Sequence, residues 1–138
     1  MQISTEVLEE VRRLVAQILE WDIESVRPES LFFDDLGGES IELLELSFHL
    51  DKLYGVRLRF QDLASDDYKL DAEGRLTSEA IALLKAKYPF LKLDGFESRP
   101  LRRRTDFLTI EAIAAFVQTK LDSQKQQGKS ATVTAGSP

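Results

Sequence analysis

Apolar positions fall into helical periods in four places along the chain. In the first, Val7, Val11, Leu14 and Ile18 recur at steps of four, three and four, and Leu8, Val15 and Leu19 widen the stripe. This spacing predicts a helix from about Thr5 to Glu20. Ser4 or Thr5 can cap it, and Glu6, Glu9 and Glu10 sit where the positive end of the helix dipole favours carboxylates. A loop follows from Trp21 to Glu39, punctuated by Pro28 and the Gly37-Gly38 pair. Its Val26, Leu31, Phe32 and Leu36 are expected to fold back onto the core.

The second period predicts a helix from Ser40 to Tyr54, ended by Gly55. It carries two apolar stripes, Ile41-Leu44-Phe48 and Leu43-Leu46-Leu50-Leu53. That is more than a helix packed on one side can bury, so something must cover or bind the second stripe. The third helix is expected from Ser78 to Tyr88, with Thr77 as N-cap, Leu76 and Ile81 spaced as a hydrophobic staple, and Pro89 just past the end. Gln61 to Ser65 reads as a short turn and Asp94-Gly95 as a loop. The last helix is expected over about Thr109 to Leu121, through Ile110, Ile113, Ala114, Phe116, Val117 and Leu121. Residues 123–138 are polar or small and are expected to form a disordered tail.

Composition narrows the class. The 138 residues suit one domain plus extras, and 43% hydrophobic with 30% charged residues is ordinary for a globular protein. No apolar stretch approaches the roughly 20 residues that span a bilayer. The start, Met1 to Glu6, has neither the basic residues nor the apolar run of a secretory signal. The absence of Cys excludes a disulfide framework, a Cys nucleophile and a thiolate metal site. A cytoplasmic location is expected. The net charge is −6, and residues 1–60 alone contribute −7, with 13 acidic and 6 basic side chains. A surface of that sign repels nucleic acid and attracts basic protein patches.

The acidic half also holds the most informative residue. Ser40 closes the polar loop Asp34-Asp35-Leu36-Gly37-Gly38-Glu39 and opens an apolar helical run. The stretch from Leu31 through Phe32, Phe33, Gly37-Gly38, Glu39-Ser40-Ile41 to Leu46 resembles the modification site of acyl carrier proteins. Counted from Ser40, the resemblance is ungapped from Leu31 to about Arg59. It resumes at Leu108-Thr109-Ile110-Glu111-Ala112-Ile113, which resembles the start of that family's last helix.

The resemblance implies an all-α, acyl-carrier-protein-like four-helix bundle over residues 1–122, with an inserted extra helical segment at about 61–106. It implies that Ser40 carries 4′-phosphopantetheine, transferred from coenzyme A by a phosphopantetheinyl transferase. It also implies partner recognition through Glu39, Ile41, Glu42, Glu45, Phe48 and Asp51. The partners would be acyl-transfer, acyl-ligase or condensing enzymes with basic patches, and the carrier a monomer. The function expected is shuttling of acyl thioesters in fatty-acid, lipid or related biosynthesis. A free-standing peptidyl or aryl carrier, or a non-modified helical interaction module, are the alternatives. The sequence departs from the family in having Glu39 where Asp usually precedes the modified Ser, and in the long insertion. The insertion is expected to cover Leu43 and Leu53, and so to enlarge the core or line a space for the acyl chain.

Other chemistry is weak. The bland role for Ser40 is a helix cap. His49, the chain's one His, lies nine residues on, about 13.5 Å of helical rise and half a turn away, so a Ser–His dyad within that helix is excluded. No enzyme is therefore expected. In the stretch Asp71 to Leu76, a calcium loop with Gly74 at its sixth position would need Lys69 and Ala80 as ligands, so it reads as a turn. Asp34-Asp35 and Asp66-Asp67 read as solvated loop residues. The basic cluster at Arg99, Arg102, Arg103 and Arg104 is expected to neutralise the domain's own carboxylates or to meet a partner.

Overall fold

The computed structural model describes residues 2–60 and 69–135. Four helices follow one another: α1 (Thr5–Leu19), α2 (Ser40–Tyr54), α3 (Ser78–Lys87) and α4 (Ile110–Ala135). Helix α1 packs against both α2 and α4. Among the described residues, β-pairing is limited to two isolated bridges, Leu31 with Thr109 and Leu70 with Leu76. Among the described residues this is an all-α, carrier-type bundle, as expected, and none of its helices is long and apolar enough to cross a membrane.

Local chemistry sets the helix ends. The Ser4 hydroxyl accepts from the Val7 N–H at 3.0 Å, Thr77 from Ala80 at 3.1 Å and Thr109 from Ala112 at 3.0 Å. Helix α1 ends on Glu20 in the left-handed conformation, and α2 on Gly55 in the same region. The loop between α1 and α2 contains a 3-10 turn at Ile23–Ser25, which the apolar pattern did not distinguish from irregular chain. Arg12 holds this turn from α1, donating to the carbonyls of Val26 at 2.6 Å and Ile23 at 2.9 Å.

The first part of α4 is the centre of the core. Ile110, Ala112, Ile113, Ala114, Ala115 and Val117 are all buried, so this stretch is enclosed on nearly every side. The helix expected to end at Leu121 continues to Ala135, so residues 123–135, expected to be disordered, are helical. Gln, Lys and Ala in this stretch have favourable helix propensity. Gln124 also donates to the Gly55 carbonyl at 2.6 Å and ties α4 to the end of α2.

Val26, Phe32 and Leu36 are buried in the core, as the loop pattern indicated, and Leu31 packs against it. So are Leu76, Ala80, Leu84, Leu91, Leu93 and Phe96. Residues 69–106, the described part of the segment expected to be an insertion, therefore contribute to the core. Of the two α2 residues that segment was expected to cover, Leu43 is buried and Leu53 is 52% exposed, so the expected cover fails at Leu53. The two are ten residues apart, about 15 Å along the helix, so cover at one end does not reach the other. The turn expected at Gln61–Ser65, and the pair Asp66-Asp67, lie outside the described residues.

If the inserted segment shares the central core, Leu93→Ala should destabilise about as much as Leu46→Ala, each by about 2–5 kcal/mol. Denaturant midpoints check this. A Leu93→Ala loss below about 1 kcal/mol beside a full loss for Leu46→Ala would show a separable flap instead.

Candidate functional site

The site begins with Phe32, whose ring is fully buried. Gly38 lies directly against it: a Cβ there would come within 2.3 Å of the ring and 2.8 Å of the Phe32 carbonyl oxygen. Glycine is thus required at position 38 by internal packing. Gly37 has a φ of 70° and turns the chain where an L side chain would be strained. Their amides donate to Phe33 and Phe32 carbonyls at 2.9 and 3.0 Å, which closes the loop and delivers the chain to α2.

Helix α2 is capped by its neighbours, so Ser40 does not fill the capping role that the sequence allowed. Glu39 is the N-cap residue, and the Glu42 carboxylate reaches back to accept its N–H at 3.0 Å. Ser40 is the first helical residue, and it is exposed. Its hydroxyl makes no hydrogen bond among the described residues, and the N–H groups of Ser40 and Ile41 have no acceptor there. A hydroxyl beside unpaired amides at a helix start suits attachment of a phosphodiester.

Behind Ser40 lies a cavity of about 310 Å³, walled mainly by Phe33, Leu43, Leu44, Phe60 and Thr105, with Ser47 also lining it. Thr105 comes from the inserted segment. Leu44 and Thr105 were not singled out by sequence reasoning: Leu44 read as one of an apolar stripe, and Thr105 is over 60 residues from Ser40.

The expected recognition residues divide. Glu39, Ile41, Glu45 and Phe48 are exposed, Ile41 and Phe48 at 67% and 66%. Glu42 and Asp51 are half-buried and bonded internally, Glu42 as the cap and Asp51 accepting the Leu58 N–H at 2.9 Å. They add charge to the face while holding its backbone. His49 is exposed on the same helix.

The basic cluster is also used internally. Arg99 pairs with Asp34, and Arg102 lies 3.7 Å from the same carboxylate, so Asp34 is a buttressed residue rather than a solvated one. Neighbouring Asp35 accepts the Leu31 N–H at 2.7 Å. Arg103 sits 4.6 Å over the Phe33 ring and bonds to buried Asp106 at 3.3 Å. The inserted segment thus grips the loop before Ser40 from two sides. At Asp71 the expected turn is present: its carboxyl is held below the usual range, first by the Arg75 amide and against some desolvation, and the Arg75 side chain and Glu73 amide add to this.

A family model described as the phosphopantetheine attachment site matches residues 9–68, which include Ser40 and α2. The acyl carrier protein AcpXL of Rhizobium meliloti is 30% identical over 81 residues, covering 59% of this chain and 81% of that protein. The chain belongs to the acyl carrier protein family. Acyl carrier protein 2 of the polyketide-8 synthase of Streptomyces avermitilis is 40% identical over 57 residues, 41% of this chain and 66% of its own length. AcpXL of Brucella melitensis is 29% identical over 77 residues, covering 56% and 78%. The carrier's cofactor is 4′-phosphopantetheine, bound covalently. An exposed, unbonded hydroxyl at a helix start, beside an apolar cavity, fits that group.

The ion pairs around Asp34 have exposed arginine partners, so their contribution is modest and open to screening. Asp34→Asn should lower stability by about 1 kcal/mol at low salt, with the difference shrinking near 1 M NaCl. Urea titrations at the two salt concentrations check this; a loss independent of salt would contradict the ion-pair role.

Proposed function

We propose that Ser40 bears the phosphopantetheine arm and that the carrier shuttles acyl groups between enzymes of fatty-acid, lipid or related biosynthesis. The observation that carries this reading is the unbonded Ser40 hydroxyl at the exposed start of α2. On transfer, its oxygen attacks the phosphorus that bears the pantetheine in coenzyme A, the pyrophosphate P–O bond breaks, adenosine 3′,5′-bisphosphate leaves, and the Ser40 proton passes to a base of the transferase. The arm supplies a thiol that holds the acyl group as a thioester. The chain's own residues do the rest. The free amides of Ser40 and Ile41 receive phosphodiester oxygens, and the cavity walled by Leu43, Leu44, Phe33 and Thr105 shelters apolar cargo.

Docking falls to the exposed face of α2. Glu39 and Glu45, with charge from Glu42 and Asp51, attract basic patches of a phosphopantetheinyl transferase and of acyl-handling enzymes. Ile41, Leu44 and Phe48 add apolar contact. Contacts of this kind are brief and salt-sensitive, as a shuttle requires. In this reading residues 1–122 form the carrier domain with an insertion at about 61–106, and it works as a cytoplasmic monomer that catalyses nothing itself. The family relationship to a carrier of a polyketide synthase and to AcpXL proteins supports an acyl cargo.

Incubation with a phosphopantetheinyl transferase and coenzyme A tests the assignment. Intact-mass analysis should show the gain of one phosphopantetheine, lost completely in Ser40→Ala. Absence of a gain with several transferases would overturn it in favour of a non-modified interaction module. A gain retained by Ser40→Ala would move the attachment to another residue.

A further inference from the structure

A second cavity, of about 190 Å³, opens where the end of α3 meets the middle of α4. Its floor is apolar and aromatic. Phe116 is the hub: Phe90 meets it edge-on with centroids 4.9 Å apart, and Tyr88 lies tilted at 5.1 Å. Leu58 completes the buried wall. On its far side Phe116 meets Phe60 edge-on at 5.6 Å, and Phe60 lines the cavity behind Ser40. That ring pair separates the two spaces, so this second cavity does not depend on where the arm is attached.

The rim is cationic. Arg59, Lys87 and Lys120 line the opening, and among the described residues no carboxylate does so. Lys87 stands in the last turn of α3, where its charge opposes the negative end of that helix, and its ammonium is 5.9 Å over the Tyr88 ring. Arg59 and Lys120 are exposed and make no ion pair or hydrogen bond among the described residues. Desolvated aromatic walls give a flat apolar body its contacts, and guanidinium and ammonium groups hold a carboxylate through charge-assisted hydrogen bonds. Size limits the body, since an engineered cavity of about 150 Å³ accommodates benzene.

We propose that this cavity is a binding site for a small monocarboxylate with a ring-sized apolar body. The carboxylate lies between Arg59 and Lys120, and the apolar body rests on Phe116, Phe90 and Tyr88.

Sodium benzoate is the probe, and benzyl alcohol is its neutral counterpart of similar shape. Titrated into the full chain and followed by NMR, benzoate should give saturable shifts at Tyr88, Phe90 and Phe116. A ligand of that size should bind with a dissociation constant on the order of 0.1–1 mM. Benzyl alcohol should bind at least about tenfold more weakly. The exposed pair Arg59→Gln with Lys120→Gln should weaken benzoate about tenfold and leave benzyl alcohol unchanged. The proposal is overturned by an absence of saturable shifts at about 10 mM benzoate. Equal binding of the two probes, or benzoate binding indifferent to the double substitution, would overturn it as well.

Discussion

Gly38 pressed against the Phe32 ring is the contact on which the geometry of the Ser40 corner depends. Phe32 is fully buried, and its own N–H donates to the Leu108 carbonyl at 3.0 Å, just before α4 begins. Ile110 and Glu111 donate to the carbonyls of Ser30 and Pro28 at 3.0 and 2.8 Å. The loop is therefore fastened to the most buried helix at one end and folded over its own phenylalanine at the other. Helix α2 has to start where that fold releases the chain, which leaves Ser40 outward and unbonded while Leu43 and Leu46, three and six residues on, turn into the core.

The acidic residues of the first sixty serve two purposes that their charge alone does not separate. Asp34, Asp35, Glu42 and Asp51 hold backbone or arginine partners, and so fix the loop and the helix. Glu39 and Glu45 remain on the surface beside Ile41, Leu44 and Phe48. An outward row of large apolar residues beside carboxylates is costly unless a partner covers it some of the time. The inserted segment contributes on the opposite side: its arginines grip Asp34 and Phe33, and Thr105 closes the cavity behind Ser40.

Much of this was legible in the sequence where the cause is local. Ser4, Thr77 and Gly55 set helix ends through bonds or backbone preferences within a few residues, and those ends lie where the pattern put them. The Ser40 motif was legible because its residues are contiguous. What the chain did not reveal depends on distant partners. Whether Ser40 or the Glu39–Glu42 pair caps α2 is a competition that composition does not decide, since Ser is a favoured N-cap while Glu42 is well placed at the third helical position to complete a box on Glu39. That Arg99 and Arg102 meet Asp34, 65 and 68 positions away, follows from the path of the insertion. Leu43 and Leu53 looked alike as apolar positions, yet the first is buried and the second half exposed, a difference set by tertiary surroundings and not by residue type.

The stability of Gly38→Ala in chemical denaturation tests the Phe32–Gly38 contact most directly. If that contact is the constraint, the added methyl must displace a buried ring and its carbonyl, and the loss should be about 1–3 kcal/mol. An unchanged denaturation midpoint together with slowed modification of Ser40 would contradict it, and would instead give Gly38 a role in clearing the way for a modifying enzyme.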